Sequence, residues 1–203
     1  MKTLIIVDVQ NDFMPGGQLE VPHGNMIVPV INRVQNFFDL ILATQDWHPE
    51  SHSSFASNHH EKKPFDRIIL HGVEQILWPD HCIQGSAGAD FHPDLETKKI
   101  AAIFRKGMDP EIDSYSGFYD NGHLTSTGLS GYLQEKGITE IFFCGLAADI
   151  CVYYTILDSI SEGFSATLIE DATCPLHLDK FDDIKCELAK IGVHIINSNE
   201  LFY

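Results

Sequence analysis

The sequence predicts an α/β protein in three layers, with a mainly parallel sheet of six strands between helices. Two observations carry this. Short runs rich in Ile, Val and Phe recur at 3–8 (TLIIVD), 39–44 (DLILAT), 99–104 (KIAAIF), 140–145 (EIFFCG), 166–170 (ATLIE) and 193–196 (VHII). Helical patterns fit 25–38, 126–136, 150–162 and 179–191, so strand and helix alternate over much of the chain. Unbroken apolar runs suit strands buried on both faces, and the alternation suits parallel pairing.

The first strand is followed at once by a carboxylate, in VDVQNDF. Asp8 reads either as turn chemistry or as a residue at the carboxyl end of a parallel strand, where open α/β sheets hold their ligands. Its neighbours Asn11 and Asp12 are expected to serve the turn. The third strand runs into Arg105-Lys106-Gly107 and the fourth ends at Cys144-Gly145. In the following GLAADICVYYT, Asp149 is expected to cap a helix, which places Cys151 in its first turn. Free N–H groups and the helix dipole there favour a thiolate. Gly137, Gly163 and Gly192 stand just past three of the predicted helices, where C-terminal glycines belong.

Residues 45–98 show no convincing strand or long helix and hold six of the eleven histidines, between His48 and His81. A loop this long within a compact domain is usually functional or disordered, and Trp47, Trp78 and the prolines argue for order. No linker, repeat or low-complexity tract interrupts the chain. The expectation is therefore one domain over 1–203, with a long loop region at about 45–98.

An apolar fraction of 44% with 10% aromatics is that of an ordinary globular chain. Thirteen Lys and Arg against 29 Asp and Glu give a formal charge of −16, which argues against nucleic acid and anionic membranes as partners. Only a short apolar run follows Lys2, too brief for a signal-peptide core, and no stretch approaches the roughly 18 apolar residues of a membrane span. The five cysteines are odd in number and form no CxxC pair, which fits a reducing, cytoplasmic setting. Cys82, Cys144, Cys174 and Cys186 are read as inert packing.

The stretches VDVQNDF, TQDWHP, WPDHC, FRKG, YSGF and GLAADICV stand in the order and spacing of the nicotinamidases, which belong to the isochorismatase-like cysteine hydrolases. The resemblance runs from residue 3 to about residue 175. It implies the isochorismatase-like, Rossmann-like fold and a catalytic triad of Asp8, Lys106 and Cys151. It implies aromatic substrate walls at Phe13, Trp78 and Tyr115, and an oxyanion hole from the N–H groups of Ala147 and Cys151 after a cis Leu146–Ala147 bond. It also implies one divalent metal ion per chain on Asp46, His48 and His81. Zinc is foremost, and iron or manganese suits the same carboxylate and imidazole donors. Ser53, Ser54 and Phe55 stand where relatives offer a further ligand, so His52 or water is expected to complete the shell. His59, His60 and His71 are expected at the surface.

The implied activity is hydrolysis of nicotinamide to nicotinate and ammonia through a cysteine thioester, in NAD salvage, with pyrazinamide as a further substrate. The sequence leaves open a homo-oligomer. Two other readings also stand at this stage. One keeps the fold and triad for a ureidoacrylate or carbamoyl amide, and the other is a non-catalytic heterocycle-binding module.

Overall fold

The protein is described from a computed structural model covering residues 1–202. Six parallel strands form one sheet: β1 Thr3–Val7, β2 Leu40–Asp46, β5 Ile100–Lys106, β6 Glu140–Leu146, β7 Ser165–Cys174 and β8 His194–Ile196. Their spatial order is β5-β2-β1-β6-β7-β8. The chain therefore builds outward from β1 in one direction, returns, and builds outward from β6 in the other. The switch falls between β1 and β6, where crevices open at the carboxyl ends of strands.

Alternation of side chains sorts the core onto two faces. Leu4 and Ile6 pack on one side with Ile31 and Val34 of α1 (Val28–Val34). Ile5 and Val7 pack on the other, against α2 (Leu129–Glu135), α3 (Cys151–Ser161) and α4 (Phe181–Lys190). All five residues of β1 are buried, as a strand covered on both faces requires. The predicted helix 25–38 is shorter than its pattern: α1 is flanked by single 3-10 turns at Gly24–Ile27 and Gln35–Phe37.

On the face of α1, loop residues complete the layer, among them Val21, Trp78, Cys82 and Ala89. Residues 45–98 are ordered mainly as 3-10 turns and bridges, but they contain an antiparallel hairpin that the sequence reading did not expect. It pairs β3 (Arg67–Leu70) with β4 (Val73–Ile76). Its two turn residues are both left-handed, His71 at φ 49° and Gly72 at φ 84°, which matches the twist of a tight hairpin. Both strands are half-exposed and only four residues long, too short for their apolar residues to stand out as a strand pattern. Among the described residues, no helix is long and apolar enough to cross a membrane.

Candidate active site

Asp8, Asp46, Lys106 and Cys151 stand at the carboxyl ends of β1, β2 and β5 and at the start of α3, and all are buried. Asp46 and Lys106 are register partners across the β2–β5 ladder. Parallel pairing thus brings two residues 60 positions apart to one sheet edge. Asp8 itself is left-handed at φ 46°, a conformation Asp tolerates better than most side chains. The turn reading and the site reading of Asp8 are therefore compatible.

Lys106 is the hub. Its Nζ lies 2.8 Å from Asp46 Oδ1, 3.0 Å from Asp8 Oδ2, 3.0 Å from the Ser114 carbonyl and 3.5 Å from Cys151 Sγ. Burial works against its charge, but Asp46 and Asp8 outweigh it and hold the ammonium pKa well above the usual lysine range. Asp8 also accepts a 2.7 Å hydrogen bond from Thr44 Oγ1. Burial, with Asp46 adding to it, pushes the Asp8 carboxyl up despite Lys106 and Thr44. A carboxylate in that position takes a proton more readily than a free one.

Cys151 departs from expectation. It is the first residue of α3, yet burial raises its thiol well above the usual range, with Asp8 and Asp46 opposing the pull of Lys106. The helix start does not by itself produce a thiolate here. In the metal-free protein, alkylation of Cys151 by iodoacetamide is expected to be slow at neutral pH. Its rate should keep climbing with pH beyond about 8.5, where an ordinary thiol reaches half-ionisation. A pH–rate profile that levels off below that point would show Lys106 dominating instead.

The cap prediction also fails in an informative way. The residue before α3 is Ile150, which makes no side-chain cap. Asp149 instead accepts the N–H groups of Leu176 at 2.7 Å and His177 at 3.0 Å, tying the segment after β7 to the site. The Leu146–Ala147 bond is cis, as the resemblance implied. The Ala147 carbonyl accepts the N–H groups of Ile150 and Val152, both at 3.1 Å. The N–H of Cys151, the first residue of α3, has no partner within the helix.

Asp46, His48 and His81 form a buried group whose ligand atoms all fall within 4.8 Å of one another. The ring nitrogens argue for a cation there. His48 Nδ1 is 2.9 Å from the Gly107 carbonyl and His81 Nδ1 is 2.8 Å from the Pro79 carbonyl, so both Nδ1 atoms must donate. In the neutral rings each Nε2 then carries a lone pair, and these lie 3.1 and 3.4 Å from Asp46 Oδ2. Three acceptors facing one another fit a shared divalent ion, and main-chain carbonyls are the usual outer partners of metal-bound imidazole. Gly107 is required at this point, because a Cβ there would lie 2.3 Å from the His48 ring.

His52 does not join this group. It packs on the far side of His48, ring centroids 4.4 Å apart, and its ligand atom clusters with His48 and Asp113 instead. Of the two completions expected for the shell, His52 or water, this placement favours water. His60 and His71 are exposed as expected, while His59 is half-buried with Nε2 2.7 Å from the Ser53 carbonyl.

One pocket gathers most of these groups. Asp46, His81, Lys106 and Cys151 line it together with Phe13, Trp78, Tyr115 and Ala147, while the buried Asp8 and His48 are not among its lining residues. Trp78 and Tyr115 meet edge to face, centroids 6.1 Å apart, and Phe13 packs on His81 at 5.6 Å. Sequence reasoning missed the aliphatic wall of Leu19, Val21, Ile150 and Leu176. It also missed Thr44, although the two-residue strand period places Thr44 and Asp46 on one side of β2.

The fold and the site together define the class. The Isochorismatase domain model matches residues 2–200, and the chain belongs to that family. Within it, the chain is 49% identical to the nicotinamidase of Acinetobacter baylyi, over 98% of this chain and 93% of that protein. The structure superposes on a nicotinamidase/pyrazinamidase of Acinetobacter baumannii with a TM-score of 0.95 at 45% identity, covering 98% and 97% of the two chains. It superposes on an L. infantum protein solved in complex with nicotinate at 0.86 and 39% identity, covering 98% and 93%. For a pyrazinamidase of Pyrococcus horikoshii in complex with zinc the values are 0.80 and 34%, covering 97% and 98%.

Proposed function

We propose that this chain is a nicotinamidase, hydrolysing nicotinamide to nicotinate and ammonia in NAD salvage, with pyrazinamide as a second substrate. The observation that carries the reading is the position of Lys106, which touches Asp8, Cys151 and Asp46 at once. One ammonium thereby joins a proton-transfer pair to a cation-binding group at the wall of an aromatic pocket.

Substrate binding brings the carboxamide carbon against Cys151 Sγ. The thiol proton passes to Asp8, whose raised pKa suits it as the base. Sulfur attacks the carbon, and the oxyanion accepts hydrogen bonds from the N–H groups of Ala147 and Cys151. Asp8 returns the proton to the amide nitrogen, the C–N bond breaks and ammonia leaves a thioester on Cys151. A water molecule then gives a proton to Asp8 and adds to the thioester, and the sulfur departs, taking that proton back from Asp8, to release the acid and restore the thiol. Lys106 remains protonated throughout and holds Asp8 and Cys151 in register.

Asp46, His48 and His81 would hold one divalent ion, zinc foremost, with iron or manganese suited to the same donors. When bound, such an ion supplies an acceptor for the pyridine-nitrogen lone pair. Phe13, Trp78 and Tyr115 give a flat, neutral ring apolar contact on either side.

Replacement of Asp8 by Asn tests the proton relay. The amide keeps the shape and a hydrogen bond from Thr44 but cannot take up a proton. Ammonia release from nicotinamide is expected to fall by roughly 10²-fold or more, the usual scale of general acid–base catalysis. Turnover within a few-fold of the parent would leave Asp8 as a turn residue only.

A further inference from the structure

Three polar residues follow Asp8 in VDVQNDF, and the proposed chemistry uses none of them. The structure gives Gln10 and Asp12 specific work. Gln10 is fully buried, and its side-chain amide is spent on main-chain groups. Oε1 accepts the Asp46 N–H at 2.8 Å, while Nε2 donates to the carbonyls of Asp46 at 2.8 Å and Ala89 at 2.9 Å. One side chain thus pins both peptide groups of Asp46. Asp12, buried to 8% exposure, accepts the N–H of Cys82 at 2.7 Å, the residue directly after His81.

The same short segment fastens the 80–92 loop in other places. Asn11 takes the Ala87 carbonyl through its side chain at 2.7 Å and the Asp90 carbonyl through its N–H at 3.0 Å. A Cβ on Gly88 would fall 2.1 Å from Asp12 Oδ2, so the turn at 87–89 lies directly against that carboxylate. Cys82 in turn pairs with the other ligand segment, its carbonyl accepting the His48 N–H at 3.0 Å. Asp46 ends β2 with His48 just beyond it, and His81 comes from a loop more than thirty residues later. Nothing in β2 itself sets the distance between them.

We propose that Gln10 and Asp12 are positioning residues for the metal group: Gln10 fixes Asp46 and Asp12 fixes the segment bearing His81. Asp8 serves the thiol and its two polar neighbours serve the cation. This rests on the reading of Asp46, His48 and His81 as a metal site. Neither residue is expected to contact the ion, and their effect is on the spacing of those that do.

The test is zinc affinity, measured on the full-length metal-free protein by competition with a chromophoric chelator. Gln10→Ala and Asp12→Ala should each weaken zinc binding by about 10–100-fold, the range seen when outer partners of metal ligands are lost. Asp12→Asn keeps an acceptor for the Cys82 N–H and should stay within about 3-fold of the parent. Iodoacetamide alkylation of Cys151 in the metal-free Asp12 variants should match the parent, because the Asp12 carboxylate bonds the Cys82 and Gln18 N–H groups and not the thiol, Asp8, Asp46 or Lys106. A variant that merely loosened the fold would change both readouts. If Gln10→Ala does not fold, Asp12→Ala against Asp12→Asn decides the question. Parental zinc affinity in the folded Ala variants overturns the proposal, as does an equal loss in alkylation rate. A parent that binds no zinc overturns the metal reading beneath it, a result separable from the other two.

Discussion

Cys151→Ala is expected to leave a folded protein whose release of ammonia from nicotinamide is lower by about 10⁴-fold or more. The substitution removes one sulfur atom from a buried position and leaves Lys106 with both of its carboxylates. Its effect on stability should therefore be small, roughly 1 kcal/mol in either direction. Chemistry has no such margin. No other thiol can stand in, since Cys144 lies within β6 and Cys186 is exposed on α4. Cys82 is the sharper control, its thiol raised well above the usual range by burial and then by Asp46, Asp12 and Asp8. Cys82→Ala and Cys174→Ala should keep most of the activity. Retention of more than a few per cent by Cys151→Ala would exclude a thioester.

The contrast between Cys151 and Cys82 shows what the sequence could convey. Strand ends were legible because apolar runs stop abruptly, and β1, β2, β5 and β6 fall within two residues of their expected limits. The residues placed there by resemblance, Asp8, Lys106 and Cys151, do converge. Their electrostatics were not legible, because they depend on which charges share a buried space. Cys151 was expected to favour a thiolate from its place on a helix, but burial, joined by two carboxylates from other strands, decides otherwise. The same holds for Asp12 and Asp149, whose carboxylates bind N–H groups 70 and 27 residues away. Local turn and cap rules describe neighbours, and these side chains serve distant segments. The hairpin of β3 and β4 escaped for another reason. It lies outside the main sheet, and its His71-Gly72 turn is a weaker sequence signal than Asn-Gly.

Removal of the divalent ion is the second large effect, and it separates nicotinamide hydrolysis from other amide chemistry on this fold. Chelation should abolish turnover of nicotinamide and restoration with zinc should recover it. The main sheet should persist, since its two core faces are packed by aliphatic and aromatic side chains apart from the metal group. Losing a ligand held at about 100 times its Kd costs about 2.7 kcal/mol, which predicts a fall in Tm of roughly 5–10 °C without unfolding at room temperature. Benzamide shares the ring and carboxamide but lacks the ring nitrogen. With the ion present, its kcat/KM should be lower by at least about 10²-fold, because nothing on the ring then aligns the carbonyl with Cys151. His48→Ala and His81→Ala should raise the KM for nicotinamide and lower kcat together, since a misplaced ring is both weakly held and poorly aimed. Their effect on benzamide should be slight. Turnover of the two amides by holo and metal-free enzyme therefore gives four rates, of which one should stand far above the rest. Four comparable rates would mean that Asp46, His48 and His81 serve the fold, and that a different amide is the substrate of this site.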